Sequence, residues 1–103
     1  MENEKKYEKY LPLGSVILLK KAKKRVMVVG YAVRGKESGN KIWDYVGCMY
    51  PEGLLSSDKN LLFNHSDISK IYALGFSDDE HMRYVEFIKN SVKTIQNSDQ
   101  SNK

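Results

Sequence analysis

The chemistry open to this 103-residue chain must come from few side chains: one cysteine, Cys48, two histidines, His65 and His81, and scattered carboxylates. A thiol beside an imidazole that a carboxylate orients makes an activated nucleophile, and Cys48, His65 and Asp67 can be written down as such a set. The spacing lends it no support. Cys48 precedes His65 by seventeen residues, and a set this loose can be drawn in nearly any chain of this size. A buried strand cysteine and a histidine in a capping turn, Asn64-His65-Ser66-Asp67, account for the same residues more simply. Metal binding fares no better. There is no His-x-x-x-His pair, and a lone cysteine excludes a multi-cysteine zinc site or a disulfide within one chain. No complete glycine-rich phosphate loop is present: Gly-x-Gly-x-x-Gly does not occur, and the run Gly30-x-x-x-x-Gly35-Lys36 is followed by Glu37 where the phosphate loop needs Ser or Thr. The adjacent carboxylates Asp78 and Asp79 suit the start of a helix better than general acid–base work. The expectation is a protein that is not an enzyme and takes no metal or cofactor.

Binding is the other kind of chemistry, and here the residue types are richer. Seven tyrosines, one tryptophan and a net charge of +4 invite a nucleic-acid reading, with rings to stack bases and cations to meet phosphates. The charge is local, however. Residues 1–51 carry eleven Lys and Arg against five Asp and Glu, whereas residues 52–103 carry six against eight. Half the excess is one cluster, Lys20-Lys21-Ala22-Lys23-Lys24-Arg25, placed between two apolar runs where a hairpin would turn. Such a loop is solvated and keeps sheet edges from pairing. Aromatics concentrate elsewhere, without the signature of RNA-binding sheets, so nucleic acid is disfavoured.

A protein partner fits better. The run Ile42-Trp43-Asp44-Tyr45-Val46-Gly47-Cys48-Met49-Tyr50 has large apolar groups on both parities, more than one covered sheet face can use. Trp43, Tyr45 and Tyr50 are the residue types that anchor interfaces, with Lys21, Lys23 and Lys24 expected at the rim. The competing reading is a sheet that curls enough to bury both sets.

Four apolar runs and one helix have to position these residues. Strands are expected at 16–19, at 26–33 with Gly30 marking a bulge or close approach, at 42–50, and at 71–74. Leu54, Leu55, Leu61, Leu62 and Phe63 are apolar anchors in a stretch that fits no period. Ser77-Asp78-Asp79-Glu80 reads as a capping box with Ser77 as the cap and Phe76 as a staple. Val85, Ile88, Val92 and Ile95 then recur at helical spacing to about Gln96. The fold expected is α+β: a three- to four-stranded, mostly antiparallel meander packed by one C-terminal helix. One domain at 10–96 would carry short tails at 1–9 and 97–103. The charged start is not a signal peptide, and no run approaches the roughly 20 apolar residues that cross a bilayer. A cytoplasmic protein without membrane insertion is expected.

Four stretches between residues 10 and 76 carry a resemblance. They are Tyr-Leu-Pro-Leu-Gly-Ser-Val-Ile-Leu-Leu-Lys (10–20), Lys-Arg-Val-Met-Val-Val-Gly (24–30), Trp-Asp-Tyr-Val-Gly-Cys-Met-Tyr-Pro-Glu-Gly (43–53) and Leu-Phe-Asn-His-Ser-Asp-Ile (62–68). In these the chain resembles domain-of-unknown-function family 4176, found in Firmicutes beside polymorphic toxins that carry an LXG domain and leave by type VII secretion. The resemblance implies a cytoplasmic accessory, a chaperone or targeting factor whose partner is such a toxin. It supplies no catalytic residues. An immunity protein that neutralises the toxin domain, or a small β-rich nucleic-acid module, are the alternatives; the net positive charge favours the chaperone reading over immunity.

Overall fold

The computed structural model describes residues 9–34, 41–56 and 60–101. Five strands form one antiparallel sheet: β1 (Val16–Leu19), β2 (Val26–Arg34), β3 (Ile42–Met49), β4 (Leu61–Phe63) and β5 (Ile68–Ala73). A helix, α1 (Asp79–Ser101), follows. The α+β class with one C-terminal helix is as expected, but the described residues form five strands. β4 is only three residues long, too short to show a period.

The strand order is β4-β3-β2-β1-β5, so β4 and β5 lie on opposite edges. Yet only residues 64–67 join them, and three of these form a 3-10 turn, His65–Asp67. A flat sheet would set its edges about 19 Å apart, at about 4.8 Å per strand. A 3-10 turn advances only about 2 Å per residue. The sheet must therefore curl until its edges approach. The interior confirms the geometry: Ile17, Val26, Val28, Tyr45, Phe63 and Ile68, at least one from every strand, form a single buried cluster with Leu11. The register of β2 against β3 slips between Val28 and Gly30, which supplies the expected bulge. A Cβ at Gly30 would stand 2.6 Å from Val46 Cγ1.

The helix packs on the sheet as expected, through β2: Val85 and Ile88, with Val92 beside them, meet Tyr31 and Ala32 of that strand and the N-terminal Tyr10. The N-terminal segment is thus a wedge between sheet and helix. Ser15, fully buried, holds it there: its hydroxyl donates to the Pro12 carbonyl at 2.7 Å and accepts the Gly75 N–H at 3.0 Å. The contact is so close that a Cβ on Gly75 would fall 1.8 Å from the Leu13 carbonyl oxygen.

The helix start is also shifted by one residue. The Asp78 carboxylate accepts the His81 N–H at 3.0 Å, and the Asp78 carbonyl accepts the Met82 N–H. Asp78, not Ser77, is the cap, because its side chain reaches the third helical amide. Phe76 makes no staple; it is 81% exposed. At its other end α1 runs on to Ser101, past the limit set by its apolar stripe. Residues 1–8, most of the expected N-terminal tail, and 35–40 lie outside the described residues.

Candidate functional site

The residues with the most chemistry in the sequence are bound to one another. Tyr45 is fully buried at the centre of β3. Its hydroxyl oxygen accepts the N–H groups of Tyr10 at 2.8 Å and Leu11 at 3.0 Å. With both lone pairs engaged, its own proton must go to His65 Nδ1, 2.7 Å away. Nδ1 is therefore the acceptor, and the imidazole carries its proton on Nε2. The neighbouring groups repeat the exchange. Asn64 Oδ1 accepts the Asp44 N–H at 3.1 Å, while Asp44 Oδ2 accepts the His65 N–H at 2.9 Å. Asp67 accepts the Asn64 N–H at 2.9 Å, and the Lys9 ammonium stands 3.2 Å from Asp44 Oδ1.

Burial pushes the Tyr45 phenol well above its ordinary range, and burial together with the adjacent Tyr84 pushes Tyr31 up to about 12. The Tyr31 hydroxyl donates to the Leu11 carbonyl. Both phenols are thus neutral clamps. The hypothetical nucleophile is not assembled: His65 Nδ1 is spent on Tyr45, Asp67 on Asn64, and Cys48 is buried opposite Met27 on β2. Among the described residues no group of three His, Cys, Asp or Glu side chains could hold a metal ion. None of their helices is long and apolar enough to cross a membrane.

The expected partner-binding residues are scattered by the curl. Tyr45 is corrected outright: β3 turns it inward, so it cannot meet a partner. Trp43 is half-buried, with the Lys41 ammonium 4.1 Å from its ring centroid. Tyr50 is half-buried beneath Arg25, 5.2 Å away. Lys21, Lys23 and Lys24 are exposed on the turn between β1 and β2, and Lys24 pairs with Glu52 at 2.8 Å.

A surface missed in the sequence lies along the first half of α1. Leu13, Phe76 and Tyr84 border a cleft of about 750 Å³ whose wall includes Tyr31. Their exposures, 51%, 81% and 53%, are large for apolar and aromatic groups. Tyr84 stacks on Phe87, itself 63% exposed, with ring centroids 6.0 Å apart. On the other flank of the helix a second cleft, about 460 Å³, is bordered by Leu74 and Met82. The available signal was the pairing of Tyr84 with Val85 and Phe87 with Ile88. An apolar residue one step before each core position gives the helix a second stripe that its own domain cannot cover.

Comparison with curated proteins and with solved structures gives no match. A family model described as a domain of unknown function, DUF4176, matches residues 10–84, which include every strand, the 3-10 turn and the start of α1. That span covers well over half the chain, and the chain belongs to this family.

Proposed function

We propose that the chain is a non-catalytic, cytoplasmic protein-binding accessory that acts as a chaperone or targeting factor for an LXG-type toxin exported by type VII secretion. The observation that carries the binding half of this reading is the apolar surface along α1. Leu13, Phe76 and Tyr84 are each more than half exposed around one cleft, and Phe87, stacked on Tyr84, extends the exposed surface beyond it; an apolar surface of that kind on a folded domain is where partners dock. The toxin enters through the sequence resemblance. The non-catalytic part of the reading is supported by the engagement of His65 with Tyr45 and of Asp67 with Asn64, and by the burial of Cys48.

Co-expression with an LXG toxin tests the proposal, using the full toxin, its LXG domain and its toxin domain in turn. Co-purification with the LXG domain, lost in a Phe76→Ser/Tyr84→Ser variant that remains folded, is the expected result. Capture of the toxin domain alone, with protection of cells from it, would make the protein an immunity factor.

A further inference from the structure

The turn between β1 and β2 places Lys20, Lys21, Lys23 and Arg25 in solvent. Arg25 is held in an unusual way. Its guanidinium carbon lies 5.2 Å from the ring centroid of Tyr50 and 5.2 Å from that of Tyr72. The Lys70 ammonium stands over Tyr72 as well, at 4.7 Å. Aromatic faces fix a guanidinium without using any of its N–H donors. Among the described residues, Arg25 and the three lysines have no carboxylate partner; the one ion pair at this end joins Lys24 to Glu52. Six cations, the paired Lys24 among them, thus share one end of the curled sheet, and the central one, Arg25, is oriented with its donor fork turned to no carboxylate among the described residues.

We propose that this end of the sheet is a docking site for an acidic segment of a protein partner, with Arg25 receiving an Asp or Glu carboxylate in a two-point hydrogen-bonded pair and Lys20, Lys21, Lys23 and Lys70 steering its approach. The charge asymmetry selects an anion, and the planar fork matches a carboxylate. The two rings hold Arg25 before the partner arrives, so less side-chain freedom is lost on binding. Nucleic acid fits less well. A strand would need open ring faces for its bases, and Tyr50 and Tyr72 already have cations over theirs. The proposal rests on the reading of the chain as a protein-binding accessory.

Fluorescence anisotropy of the full chain with a labelled glutamate-rich peptide, against a single-stranded oligonucleotide of equal charge, tests it. Arg25→Lys keeps the charge but loses the fork; peptide affinity should fall roughly tenfold at any salt concentration, as expected for one charge-assisted pair. Lys20→Ser/Lys21→Ser should weaken binding mainly at low salt. Circular dichroism confirms that each variant is folded. Failure of the peptide to bind, equal binding by Arg25→Lys, or an oligonucleotide that binds at least as tightly as the peptide would each overturn the site. The toxin co-purification separates the two claims. If the toxin is retained equally by wild type and Arg25→Lys, the acidic docking site is wrong and the accessory role stands. If neither retains it, the accessory role fails whatever the peptide does.

Discussion

The Tyr45 hydroxyl makes three hydrogen bonds, and the cost of losing each one differs. Two satisfy backbone N–H groups of buried residues, Tyr10 and Leu11. Removing the acceptor leaves those donors without a partner, at about 1–3 kcal/mol for each stranded group. Tyr45→Phe should therefore destabilise the protein by about 2–6 kcal/mol in urea melts although the ring still packs; a loss under 1 kcal/mol would mean that water replaces the hydroxyl. At the helix start, Asp78→Ala should cost about 1 kcal/mol and Ser77→Ala less than about 0.5 kcal/mol, because only Asp78 accepts an amide there. Paired melts of the two variants check this. The sequence showed an acidic helix start and an Asn-His-Ser-Asp turn, since both are local patterns. It could not show that the turn exchanges hydrogen bonds with Asp44 and Tyr45 about twenty residues away. Such pairing follows from strand register and leaves no local trace. For the same reason Tyr45 looked like a surface anchor: its type is visible in the sequence, and its direction is not.

Helix α1 is 23 residues long, about 34 Å, but among its described side chains only Val85 and Ile88 are buried, with Val92 packed at the margin. Short contact along a long helix makes an element of low local stability, since packing of one face rather than propensity holds most protein helices. Tyr10 is the principal surface it meets: 4% exposed, edge-on to Tyr31 with centroids 5.7 Å apart. Tyr10→Ala should cost about 3 kcal/mol by the usual scale for buried aromatic truncations. Its effect should be uneven. Hydrogen exchange should accelerate across residues 82–92 much more than in β2 and β3, whose core lies inside the curl. Uniform acceleration would show that helix and sheet unfold together. The periodicity of Val85, Ile88 and Val92 made the helix legible. What it packs on was not legible, because Tyr10 belongs to a charged segment with no period of its own.

At the scale of the whole molecule, Tyr10, Tyr31 and Tyr45 join what would otherwise be two cores. Tyr31 packs against both the sheet interior and the helix cluster, and its ring lies within about 6 Å of each of the other two. The aromatic excess of the third strand is thereby explained. The curl forced by the link between β4 and β5 gives the sheet an interior, and β3 supplies part of it. That topology was beyond reach from the sequence, since β4 is too short to read and its pairing edge is set by the rest of the sheet. Gathering three phenols around a buried segment has a consequence in alkali. Burial raises all three above the ordinary value of 10.0, with nearby Asp44 adding to Tyr10 and Tyr84 to Tyr31, which reaches about 12. Below pH 10 folded and unfolded chains both hold these protons. Between pH 10 and 12 the unfolded chain loses them while the folded chain keeps them, so the unfolded state binds fewer protons and stability falls as pH rises. Urea midpoints should therefore decline across this window. Lysines also titrate there, so the diagnostic is the difference between proteins. Tyr31→Phe, which has no proton to lose at this position, should show a shallower decline than the wild type from its own lower starting stability. Parallel declines would mean that Tyr31 ionises as freely in the folded protein as in the unfolded chain, and that the ring cluster is open to water.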